Sequence, residues 1–175
     1  MPARVLLLDN TLHPRLFILA RRWARHLQGP AVDTVRVPSA RALPRVERYT
    51  HLILTGSEAS MLKPPPWVDG EAELVRRAAA SGVRVLGSRF GHQMLVRALS
   101  GPGYVERAVN TEVGWTPLEF VVGSELLRGV PNRWTLFSFH FGEVSGAPAP
   151  WPIFARSRDA DWVRRPADLG HSGAL

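Results

Sequence analysis

The sequence predicts an α/β architecture: a mostly parallel sheet covered on both faces by helices, followed by an antiparallel β segment. Two observations carry this. Short apolar runs alternate with helix-period stretches through the first hundred residues, which is the signature of βαβ units. After Gly103 the character shifts to aromatic and β-branched residues at close spacing, which favours strands paired by short connections.

Element by element, "RVLLL" at 4–8 is a buried strand ending at Asp9. "HPRLFILARRWARHLQG" places Leu16, Leu19, Trp23 and Leu27 at helical spacing, with Pro14 in the first turn and Gly29 as the stop. "AVDTVRV" and "HLILTG" are the second and third strands, and the prolines of "KPPPW" fix an extended path behind them. "VDGEAELVRRAAASG" is a helix, acidic at its start and basic later, as the helix dipole favours. "VRVLG" is the fourth strand and "GHQMLVRALSG" the helix behind it. Beyond lie the β-rich stretches "YVERAV", "GWTPLEFVV" and "WTLFSFHF", with a short helix expected at "SELLRGV".

A chain of 175 residues with 45% hydrophobic and 21% charged residues has the size and composition of one globular domain. No apolar run approaches the roughly 20 residues needed to cross a bilayer, and "MPARVLLLDN" reads as a first strand instead of a signal peptide, so the expected location is the cytoplasm. The net charge is +7, and every basic side chain but Lys63 is arginine. These arginines are scattered, without a block of like charge or interleaved aromatics, so a dedicated nucleic-acid site is not indicated. Cysteine is absent. That excludes disulfides, thiolate metal sites and a thiolate nucleophile.

In an open parallel sheet, ligands sit beyond the carboxyl ends of the strands. "TGSEAS" after the third strand and "GSRFGHQ" after the fourth should therefore face one crevice. The second stretch, Gly87, Ser88, Arg89, Phe90, Gly91, His92 and Gln93, resembles the nucleophile elbow of class I glutamine amidotransferases. "TGSEAS" resembles that family's oxyanion loop, with Gly56, Ser57 and Ser60 at the matching places, and "SFHFGEV" is similar to its Ser-His-x-Asp-x-Val stretch. "NTEVGW" fits the glutamate and glycine that precede it. The resemblance runs from Val5 to Arg158. It implies a three-layer, flavodoxin-like class I amidotransferase fold occupying residues 1–175 as one domain, with the antiparallel segment added.

In that family a cysteine thiolate attacks the side-chain amide of glutamine. A His-x-Glu pair in a Gln-Phe-His-Pro-Glu motif activates it, and ammonia passes to a partner synthetase. Here the cysteine position is Arg89, a cation that cannot attack a carbonyl. The sequence ends at "VRRPADLGHSGAL" without the His-Pro-Glu motif, Ser57 replaces the second glycine of the oxyanion loop, and Gly142 replaces the aspartate of the His-x-Asp stretch. A nucleophile without a base and an orienting group loses several orders of magnitude in rate. The expectation is a non-catalytic relative that binds, scaffolds or regulates in a biosynthetic pathway, with no catalytic residue, no metal and no cofactor. The alternatives are an enzyme of altered chemistry on a carboxylate or amide in the same crevice, and a basic nucleic-acid adaptor.

Two readings of Arg89 follow. Either it joins Gln93, Glu112, His140 and Glu143 in holding a small anion, or its stem fills the vacated pocket and pairs with an acid such as Glu58, Glu112 or Glu143. The second is preferred, because a guanidinium beside a positive helix end needs company. A metal site at His92, His140 and Glu143 is disfavoured, since H-x-x-E recurs by accident. The early end relative to the family predicts an uncovered sheet edge or apolar patch. A second copy or a partner biosynthetic protein is expected to cover it.

Overall fold

The computed structural model describes residues 2–120, 128–145, 153–157 and 161–163. The chain divides into two compact units, residues 1–102 and 103–175.

The first unit is a four-stranded parallel sheet in the order β2-β1-β3-β4. Its strands are β1 (Arg4–Asp9), β2 (Ala31–Arg36), β3 (His51–Leu54) and β4 (Arg84–Gly87). β1 and β3 lie in the middle, so their apolar runs are shut off from water on both faces. Leu6, Leu7, Leu8, Leu52 and Leu54 are fully buried. The alternation of a strand then sorts them. Val5, Leu7 and Ile53 pack with Ala20, Trp23 and Leu27 on the face of α1 (Leu19–Ala24). The opposite face carries α2 (Trp67–Ala80) and α3 (Phe90–Ser100), which contact each other and β4. The layers are those of the flavodoxin-like α/β fold expected from the sequence.

α2 buries Val68, Glu71, Ala72, Leu74, Val75 and Ala78, a stripe at helical spacing with one carboxyl in it. An ion pair from Arg97 to Asp69 at 3.2 Å ties α3 to the start of α2.

α1 is shorter than its periodicity predicts. Only six residues are helical. The preceding stretch turns on the carbonyl of His13, which accepts from both Leu16 (2.9 Å) and Phe17 (3.0 Å). Leu16, read as a core position, is 76% exposed. Periodicity locates a face and leaves the start of a helix open, and here the turn behind Pro14 takes the first five residues.

The second unit is antiparallel, in the order β6-β5-β7-β8. Two long strands, β5 (Val105–Phe120) and β6 (Arg133–Val144), form its main ribbon, with β7 (Ile153–Arg156) and β8 (Asp161–Val163) alongside. The two stretches expected as separate strands at 104–109 and 114–122 join in β5, whose register shifts between Arg107 and Glu112. A bulge of this kind lets one strand bend without ending. The helix expected at 124–130 falls largely outside the described residues; Arg128 and Gly129 are in a turn.

Candidate functional site

The crevice at the carboxyl ends of β1, β3 and β4 is built from backbone constraints. β4 ends at Gly87, and the chain reverses through Ser88 and Arg89 into α3. Arg89 sits at φ 55°, ψ −113° and is the one described non-glycine residue with positive φ. This conformation is close to the first central position of a type II′ turn, where glycine normally stands. A side chain held there is strained by about 1–3 kcal/mol.

The turn is also crowded. A Cβ on Gly87 would strike the carbonyl of Gly91, and one on Gly91 would strike the carbonyl of Leu54. The glycines at either end of G-S-R-F-G are therefore steric requirements of the turn. Hydrogen bonds complete it: Ser88 N–H donates to Leu54 O (3.0 Å), Gly91 N–H to Thr55 O (3.1 Å), and His92 N–H to Arg89 O (2.9 Å). Phe90 is buried and its ring meets Trp67 at 5.5 Å between centroids.

The facing loop begins at Thr55, which is fully buried. Its hydroxyl donates to Gly56 O and accepts the N–H of Asn10, both at 3.0 Å. A Cβ built on Gly56 would lie 3.5 Å from both Cβ and Cδ of Arg89 and 3.3 Å from Leu19 Cδ1. The two loops lie against each other, with the Arg89 stem along Gly56. Ser57 and Ser60 turn their hydroxyls back on the loop, accepting the N–H groups of Ala59 (3.0 Å) and Leu62 (3.2 Å). These bonds stabilise the turns and give both serines a local structural role. Glu58 accepts the N–H groups of Leu12 (3.1 Å) and His13 (2.9 Å), so it clips the β1–α1 loop to the loop that follows β3.

Sequence reasoning missed a buried polar network beneath these loops. Asp9 accepts both the N–H and the hydroxyl of Thr11, and Asn10 Nδ2 donates to Glu71 Oε1 at 2.9 Å. Asn10, Thr11 and Glu71 are fully buried. Burial pushes the Glu71 carboxyl up to about 7, against the smaller opposing effect of the Asn10 hydrogen bond. The signal was present in "DNT" directly behind an apolar strand, and in a glutamate on the apolar stripe of α2.

Glu112, His140 and Glu143 lie in the second unit. Glu112 and His140 are cross-strand partners, with carboxylate and Nε2 3.9 Å apart. Ser157 donates to the other oxygen of Glu112. Glu143 pairs in register with Glu106. Among the described residues no group of three or more His, Cys, Asp and Glu is arranged to hold a metal. No described helix is long and apolar enough to cross a membrane.

No family model matches the chain. Curated relatives do. The glutamine-hydrolysing GMP synthase of Parafrankia sp. is 32% identical over 119 residues, covering 68% of this chain and 21% of that protein. The Thermomicrobium roseum enzyme of the same name is 29% identical over 122 residues, again 21% of its length. A glutamine-hydrolysing GMP synthase subunit of Methanococcus maripaludis is 32% identical over 80 residues, 46% of this chain and 41% of that one. In sequence and in fold the chain is class I glutamine amidotransferase-like. Its matched part spans about a fifth of the length of the GMP synthases.

Solved structures agree on the fold of this amidotransferase-like chain. A glutamine amidotransferase from Thermotoga maritima superposes with a TM-score of 0.76 over 92% of this chain and 70% of its own, at 21% identity. A glutamine amidotransferase from Methylobacillus flagellatus does so with a TM-score of 0.73 over 93% and 64%, at 22% identity.

Proposed function

We propose that this chain is a non-catalytic amidotransferase-like protein, serving as a binding, scaffolding or regulatory component beside a biosynthetic synthetase. One observation carries the reading: the backbone position of the elbow on which an attacking group must ride is occupied by Arg89. The turn keeps its steep geometry, so the shape that presents a nucleophile survives without one. A guanidinium has no lone pair to offer and stays charged at any working pH. No cysteine elsewhere in the 175 residues can replace it.

The Arg89 stem along Gly56 supports a filled crevice over an anion pocket. The two compact units are parts of one amidotransferase-like domain; the likeness to a single solved amidotransferase covers 92% of the chain and so reaches into both. A synthetase as partner follows from the names of the relatives, which are glutamine-hydrolysing GMP synthases and a subunit of one.

The test is direct. Purified chain incubated with glutamine should release no ammonia above a heat-inactivated control, and calorimetry should detect no binding of glutamine or glutamate. Arg89→Cys should create a thiol that alkylates readily at the helix N-terminus without restoring glutaminase activity. Ammonia release by the unaltered chain overturns the proposal.

A further inference from the structure

The β5–β6 ribbon carries its more apolar face outward. Along β6 the side chains alternate, and Phe137, Phe139 and Phe141 take the exposed face, at 56%, 50% and 51% exposure. Ser138, on the other face, is buried. On β5 the register sets Trp115 opposite Phe137 and Val113 opposite Phe139. Trp115 is 75% and Val113 59% exposed. An antiparallel sheet with one wet face shows polar residues there. This ribbon shows the reverse.

The outward rings already interlock as rings do in a protein interior. Trp115 meets Phe137 edge-on at 5.8 Å, and Phe139 meets Phe141 edge-on at 5.3 Å. Such edge-to-face contacts leave a ridged apolar surface and not a row of flat faces on which bases stack. No arginine lies among these five side chains, although the chain carries +7 overall. The charges at the far end of the ribbon, Arg133 and Glu119, balance each other at 3.7 Å.

We propose that this face is the interface of a homodimer, two copies of the β5–β6 ribbon packing face to face across a two-fold axis. A ribbon with an apolar outward face is suited to become one layer of a β-sandwich, in which two sheets stack about 10 Å apart with their side chains interdigitated. A two-fold contact needs a self-complementary patch, and an uncharged ridge of aromatic side chains supplies one. The area suffices. Four half-exposed aromatics leave about 400 Å² to cover, and Val113 with the flanking Thr111, Pro117 and Thr135 brings each copy to roughly 600–800 Å², the standard share of a stable interface. The +7 charge of each copy is screened over about 8 Å at physiological salt, and the five side chains of the patch are uncharged. Nucleic acid would gain neither stacking platforms nor phosphate partners here.

The experiment uses the full chain. Sedimentation equilibrium between about 1 and 100 μM should give the mass of two chains. Trp115→Glu and Phe139→Glu should each raise the dissociation constant at least 100-fold, whereas Arg41→Glu, outside the face, should leave it unchanged. Circular dichroism confirms that each variant folds. If a variant does not fold, hydrogen exchange of the unaltered chain decides: segments 111–117 and 135–141 should gain protection as concentration rises. A monomer at 100 μM, a dimer indifferent to both substitutions, or a monomer that captures a single-stranded oligonucleotide on this face overturns the proposal. This outcome is independent of whether the chain hydrolyses glutamine.

Discussion

At Arg89 the backbone holds a conformation that a side chain resists, and the surrounding hydrogen bonds keep it there. Arg89→Gly should leave stability equal to the parent or raise it by up to about 1 kcal/mol, because strain is relieved while the unfolded chain gains freedom. Arg89→Val should cost about 2 kcal/mol, since a β-branched side chain tolerates positive φ least. Urea unfolding of the two variants checks the sign. Glu71 is the second residue with a distinct prediction. Its folded carboxyl titrates near 7, whereas an unfolded glutamate titrates at about 4.3. The folded state therefore holds this proton more tightly. The resulting stability is complete below about pH 4 and is lost as pH rises through 7, on the order of 3 kcal/mol in all. Glu71 Oε2 and Asn10 Oδ1 are buried acceptors without a hydrogen-bond donor, which a proton on the carboxyl would supply. Glu71→Gln carries an N–H donor at every pH, so in urea unfolding it should match the parent near pH 4 and become the more stable of the two as pH rises through 7.

At the scale of elements, the elbow is a junction in which β3, β4 and α3 approach through glycine. Gly91→Ala should destabilise the chain by about 3 kcal/mol, because a methyl meets the Leu54 carbonyl and neither β3 nor α3 can withdraw cheaply. Gly70, within α2, has nothing within 4 Å of a built Cβ. Gly70→Ala should stabilise by about 0.5–1 kcal/mol through helix propensity alone. Thermal unfolding of the pair separates close approach from conformational freedom. The elbow was legible because its glycine spacing has one steric solution. The extent of α1 was not, since Leu16, Leu19, Trp23 and Leu27 keep the same spacing whether or not the first turn is helical.

For the whole molecule, the +7 charge is carried by arginines dispersed along the sequence, and a dispersed charge attracts polyanions weakly and non-specifically. A gel shift with duplex or single-stranded DNA should show weak retention at about 50 mM salt and none at about 200 mM, as release of a few counterions dictates. The two halves of the chain differ in kind. The first unit closes its core with apolar residues that the sequence places in obvious runs. The second spends much of its aromatic content on an outward face, which the homodimer proposal explains and a monomer does not.

The sequence by itself determined the parallel core and the elbow. Both rest on short-range patterns, an apolar run between turns and two glycines around a reversal, that leave the chain little choice. Tertiary structure decided which face of β6 looks outward, how burial raises the Glu71 carboxyl, and how Arg89 lies along Gly56. Each of these depends on register and burial set by segments tens of residues away, and alternation along one strand cannot say which side will find a core.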